Sequence, residues 1–217
     1  SMDFYPRLTS INQDNLSVKE LVNNQLEIGL LLVTPAIIFL YLVAPFVIQL
    51  LYTKEFLPVI SIFKAALFAI IIKAIIWPLA YIILAKGNKK QYFKQELVGD
   101  FLNVSLTILL YNLYGLVGIG IASVVNFSLY GFYVYYIVNK NYGFSFRNDS
   151  FKIIIFSIIA GLVCCVSTFF IYEYYSKIIF SLVLLVSIIY SYYQLDNRIG
   201  VKKSLQKILN KVLLKLK

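Results

Sequence analysis

Polar residues fill the first 25 positions of the chain, and long apolar runs occupy most of positions 26–193. The runs cover about residues 26–52, 57–85, 95–114, 116–138, 151–172 and 178–193, the last being the shortest. A hydrocarbon core of about 30 Å needs roughly 20 apolar residues in a helix. The pattern therefore predicts an all-α fold: a polytopic transmembrane helical bundle of six spans. Residues 1–25 read as a cytoplasmic polar segment, 26–195 as the bundle and 196–217 as a tail. Ser17-Val18-Lys19-Glu20 fits a capping box that would start the first long helix.

The tail keeps the helical period but changes character. Val201, Leu205, Ile208, Val212 and Leu216 form one stripe, and Lys203, Lys207, Lys211 and Lys215 recur every four residues. Such a basic amphipathic helix is expected to lie on an anionic leaflet. Gly115, Gly118 and Gly120 read as a tight turn followed by close helix packing. They do not make a nucleotide loop, because the spacing differs and no strand precedes them.

Composition agrees, with 60% hydrophobic residues and a mean hydropathy of +0.81. The net charge of +10 does not point to nucleic acid, because its distribution follows the spans. With both termini inside, the cytoplasmic side carries all lysines and arginines except four. Lys54 and Lys177 fall outside, and Lys64 and Lys73 lie within a span. That bias over short loops specifies orientation. Tyrosines and phenylalanines crowd the segment ends as an interfacial belt. The chain has no histidine, so histidine metal and base chemistry is excluded. No metal site, cofactor or catalytic group is expected. Cys164 and Cys165 are adjacent in an apolar run and read as inert buried thiols. No signal peptide is visible, and Ser1-Met2 opens mid-pattern, as in a fragment whose natural beginning is missing.

The chemistry lies in charges placed where charge is costly, roughly 2.5–3.5 kcal/mol at a span centre. Lys64 is seven residues from Leu57, about 10 Å of rise, so its stem can snorkel to the outer interface. Lys73 is twelve residues from Ala85, about 18 Å, too deep for easy escape. It is the candidate contact for an anion in a wet cavity. Asp100 lies only about 7.5 Å into the next span, a poor direct partner for Lys73. Glu96 and Asp100 share a helix face, and Glu27 enters the first span at a similar level. All three read first as interfacially solvated carboxylates. Together with Lys64 they are the secondary or ion-coupling candidates. Pro35, Pro45 and Pro78 lie inside spans and are candidate hinges.

These segments also carry a family likeness. MDFYPRLTSINQD (residues 2–14), VNNQLEIGLLLVTPAIIFL (22–40), LLYTKEF (50–56), WPLAYIILAKGNKKQYFKQEL (77–97) and GLVGIGIA (115–122) come in that order along the chain. The set resembles the C-terminal half of oligosaccharide flippases of the polysaccharide-biosynthesis family, or O-antigen translocases. These belong to the MATE-like exporter superfamily. The resemblance covers roughly residues 2–140, and the last two spans match in hydropathy. It implies twelve to fourteen spans in two lobes around a cavity, in the bacterial inner membrane. It also implies transport of undecaprenyl-diphosphate-linked oligosaccharide by alternating access, for O-antigen, lipopolysaccharide or other surface glycans. The six spans here would be the ninth to fourteenth, with the first lobe and the opening of the second absent. Expected partners are the lipid-linked oligosaccharide, membrane lipids, the missing N-terminal lobe and glycan polymerase machinery. Basic residues in the membrane are expected to meet the diphosphate in this family, and Lys73 is the position here that could do so. Two alternatives stay open: a multidrug exporter of the same superfamily, and a non-transporting member of a glycan-assembly complex. A drug exporter would prefer carboxylates to a deep lysine. A glycosyltransferase or polymerase would need a larger extramembrane loop than residues 139–150 provide.

Overall fold

The structure, a computed structural model, describes residues 3–51 and 59–199. The basic tail falls outside the described residues. Among the described residues there are seven helices: α1 Phe4–Ser10, α2 Asn15–Leu51, α3 Val59–Ala85, α4 Lys89–Tyr114, α5 Leu116–Tyr142, α6 Asn148–Phe170 and α7 Glu173–Ile199. Six of them, α2 to α7, are long and apolar enough to cross a membrane. The chain is thus an all-α polytopic membrane protein.

α3 is the hub, packing against α2, α4, α5 and α6. α2 bridges α3 to α6 and α7 on the other side. α4 is the least apolar of the spans, and among its described residues Gln95 alone is buried. Short connections keep sequence neighbours antiparallel. Gly115 alone joins α4 to α5, at φ 61°. A Cβ on Gly118 would meet the Leu110 carbonyl oxygen at 1.9 Å, and one on Gly120 would meet the Ala65 Cβ at 2.7 Å. The turn and the close α3–α5 packing therefore need these glycines.

The first long helix starts earlier than the capping-box pattern suggests. α2 begins at Asn15, and Asp14 is the cap. The Asp14 carboxylate accepts from the Ser17 hydroxyl at 2.6 Å and from the Leu16 and Ser17 amides. The Ser17 hydroxyl, together with these amides, holds the Asp14 carboxyl below its usual range. A carboxylate is the stronger acceptor for free amides at a helix start, so it displaces Ser17 from the role.

The 37 residues of α2 span about 55 Å, well beyond the hydrocarbon core. The excess gives α1 a place to dock. Phe4 and Leu8 of α1 are buried. The Phe4 ring lies 5.8 Å from Trp77 of α3, and Tyr5 lies 5.7 Å from Tyr81. The Asn12 amide donates to the Ala85 carbonyl at 2.8 Å, and Lys86 donates to Asn12 and Asn15. α2 begins eleven residues before the apolar run read from the pattern and α4 six before, α3 ends where its run ends, and α7 extends five residues before and six after.

Orientation yields a direct prediction. Single cysteines at Lys90, Asn141 and Tyr174, in a chain lacking Cys164 and Cys165, are to be probed with an impermeant thiol reagent. Only Tyr174 should label from outside the cell. Labelling at Lys90 would reverse the topology drawn from the lysine and arginine count.

Candidate functional site

A cavity of about 400 Å³ opens between α3, α4 and α5. α3 contributes Lys73, Trp77 and Tyr81. α4 contributes Tyr92, Glu96, Asp100 and Asn103, and α5 contributes Asn126, Phe127 and Tyr130. The α4 positions recur at three- and four-residue intervals, which places them on one helix face. This face explains why α4 is the least apolar span. Asp100 and Asn103 are exposed from the bundle, and lipid would not tolerate them there.

The cavity has internal order. The Lys73 ammonium stands 5.4 Å from the Phe127 ring centroid, a cation–π contact. The Tyr130 hydroxyl donates to Glu96 Oε1 at 2.9 Å. Gly99 leaves room for that tyrosine, since a Cβ there would touch its ring at 3.0 Å. Asn126 is 5% exposed, and among the described residues its Oδ1 has no hydrogen-bond partner. A buried amide oxygen without a donor is costly, so the site suits a ligand that supplies a donor or a cation.

An apolar groove of about 440 Å³ lies on the other side of the α3–α5 contact. Phe68, Ile72, Leu79, Phe132, Ile154 and Ile158 line it. Ile76 and Phe127 belong to both spaces and form the partition between them.

The sequence candidates separate into three places. Lys73, Glu96 and Asp100 share the polar cavity, although helix rise alone put Lys73 and Asp100 at different depths. Lys64 does not reach outward as a snorkelling lysine would. It is 5% exposed, and its ammonium lies 5.0 Å from the Phe180 ring centroid of α7. The π face replaces part of the lost hydration. Its carbonyl accepts the Tyr41 hydroxyl at 2.6 Å. Glu27 is not solvated at an interface but is 1% exposed. Arg147 reaches its Oε1 at 2.8 Å, Arg198 its Oε2 at 2.7 Å, and the Ser150 hydroxyl its Oε1 at 2.6 Å.

Pro35 and Pro45 lie inside α2 and Pro78 inside α3, whose helices run through them. Each lacks the N–H that would engage the carbonyl four residues before it. Cys164 is buried, and both cysteines are free.

Sequence reasoning passed over Asn126, Tyr130, Arg147 and Arg198. Asn126 was detectable as an amide inside a span, four residues before Tyr130 on the same face. The two arginines gave no such signal, because they lie 120 and 171 residues from Glu27.

Residues 5–191 match the family model described as lipid II flippase MurJ. A solved structure described as "Lipid II flippase MurJ, inward closed conformation" superposes with a TM-score of 0.62 at 19% identity. The superposition covers 88% of this chain and 41% of that chain. At that identity the likeness is one of fold. Among curated proteins no sequence matches.

Proposed function

The chain belongs to the lipid II flippase MurJ family, and from that premise we propose that it forms part of a transporter moving a lipid-linked sugar precursor across the bacterial inner membrane. Flippases of this family are transporters rather than enzymes. The motif resemblance favours O-antigen oligosaccharide as cargo, whereas the family match supports lipid II, the peptidoglycan precursor, and lipid II is the cargo of this reading. Lipid-linked oligosaccharide is the alternative cargo. The chain spans less than half the length of the solved flippase it resembles. A further lobe, supplied by additional membrane helices, completes the passage in this reading.

One observation carries the proposal. A polar cavity holding an ammonium and an apolar groove share the wall made by Ile76 and Phe127. A lipid with a charged head and a long hydrocarbon tail fits both sides of that partition. Lys73 would meet the diphosphate, since an ammonium is a compact donor for phosphate oxygens. The tail would lie along the groove.

Charge balance suggests how transport is driven. Glu96 and Asp100 outnumber Lys73 in the cavity, so an anionic head is admitted once a proton or monovalent cation neutralises a carboxylate. Glu96 and Asp100 thus take the coupling role, while Lys64 and Glu27 stand outside the cavity. Pro78, five residues after Lys73, would bend α3 as access changes sides.

A photoreactive phenylalanine at position 127, in cells making the complete transporter, tests this reading. The expected adduct is polyprenyl diphosphate-linked sugar. Adducts containing glycerophospholipid alone would make the partition an ordinary lipid-facing wall and refute the proposal.

A further inference from the structure

A second polar cavity, about 520 Å³, opens at the end of the bundle where α2 and α6 begin and α7 finishes. Asn24, Glu27, Arg147, Asp149, Gln194 and Arg198 are among its walls. The buried Glu27 carboxylate carries one charge and receives two guanidinium groups. Asp149, the other carboxylate of the lining, meets the Lys152 ammonium at 3.3 Å in an exposed contact. The lining thus sets two guanidinium groups against two carboxylates, and both guanidinium groups are directed to Glu27.

The guanidinium groups are also held in place with donors to spare. Arg147 uses Nη2 for Glu27 and for Asn24 Oδ1 at 2.7 Å. Arg198 uses Nε for Glu27 and Nη1 for the Gln194 carbonyl at 3.0 Å and its side-chain oxygen. These contacts leave Nη1 and Nε of Arg147 and Nη2 of Arg198 unused. Both arginines are partly exposed, at 38% and 22%. Two fixed, planar donors facing one open polar space match the oxygens of a phosphate.

We infer that this cavity binds a phosphate-bearing anion, and that Glu27 acts as the positioning residue that presents both arginines. The site is separate from the Lys73 cavity and does not depend on the transport reading. Two sources can supply the group: the headgroup of an anionic phospholipid in the adjoining leaflet, and free phosphate.

The test uses the full chain in a neutral detergent, with phosphatidylglycerol, phosphatidylcholine or inorganic phosphate added. Bound lipid is counted by native mass spectrometry, and the thermal midpoint is followed. Arg147→Gln and Arg198→Gln should each weaken phosphatidylglycerol binding by about tenfold or more, as expected for lost charged hydrogen bonds. Lys90→Gln removes an exposed charge at the same end and should change it less than about twofold. Glu27→Gln raises the net charge yet should weaken binding, because the arginines lose their support. Stabilisation by phosphatidylglycerol but not phosphate identifies a lipid headgroup. Equal stabilisation by phosphate, with competition between the two, identifies the free ion. Equal losses in Arg147→Gln and Lys90→Gln, or tighter binding in a folded Glu27→Gln, would overturn the site in favour of diffuse charge attraction. If Glu27→Gln does not fold, the Arg147 and Lys90 pair decides alone.

Discussion

Replacing Glu27 by glutamine should destabilise the bundle far more than removing any exposed carboxylate. The expected loss is about 2–3 kcal/mol, the lower part of the range for truncating one partner of a hydrogen-bonded charge pair. At roughly 2–4 °C per kcal/mol for a chain of this size, the thermal midpoint should fall by about 5–10 °C. The reason is what remains behind. Arg147 and Arg198 would keep their charges side by side, and Ser150 would lose its acceptor. Both arginines reach solvent, which keeps the loss below that of a fully buried pair. Glu173→Gln is the comparison. Its ion pair with Lys177 is an i,i+4 pair exposed on both sides, of a kind that contributes about 0.3–0.5 kcal/mol. Equal midpoints for the two variants would show that the Glu27 cluster holds nothing together. The cluster links the first and last spans through the α5–α6 connection, so its loss should also loosen α7 towards protease.

The contrast between Glu27 and Lys73 shows what a sequence exposes and what it hides. Span number and helical class were legible because crossing a membrane demands length and apolarity, both local properties. The glycine turn before α5 was legible because backbone sterics are local too. That Lys73 lines a polar cavity agrees with the cost of leaving a cation in lipid. Which face of α2 meets α6 and α7 is set by helix rotation and register, and nothing in twenty apolar residues states either. So Glu27 read as solvated until two distant arginines were placed beside it. Lys64 failed for the same reason: its buried environment is Phe180, 116 positions later in the numbering. The α4 stripe of Glu96, Asp100 and Asn103 lay in the sequence, but it acquires meaning only opposite Asn126 and Tyr130. α1 docked unannounced because a seven-residue helix carries too little pattern to reveal an apolar face.

Lys73→Ala should reduce transport of the lipid-linked precursor at least tenfold in the complete transporter, without reducing the amount of protein in the membrane. The ammonium lies in a cavity whose other charged walls are carboxylates. Without it, no other cation among the described residues that line this cavity would offset the repulsion between Glu96, Asp100 and a diphosphate. A fixed cation attracts phosphate more strongly in a low-dielectric site than in water, and the head group sheds water as it crosses. A hydrogen bond to a charged group contributes about 1.5–3 kcal/mol, which corresponds to roughly ten- to hundredfold in rate or affinity. Lys73→Arg keeps the charge but spreads it over a larger, planar group beside Phe127, so partial transport should survive. Lys64→Met separates this role from a structural one. That lysine packs against Phe180 inside the bundle and touches neither cavity, so its loss should lower protein abundance and leave transport per molecule intact. The measurement is precursor accessibility on the outer face, normalised to transporter level. Normal transport by Lys73→Ala would remove Lys73 from the substrate path. A loss of abundance with full activity per molecule would make it a lysine kept for folding, held over Phe127 by its cation–π contact.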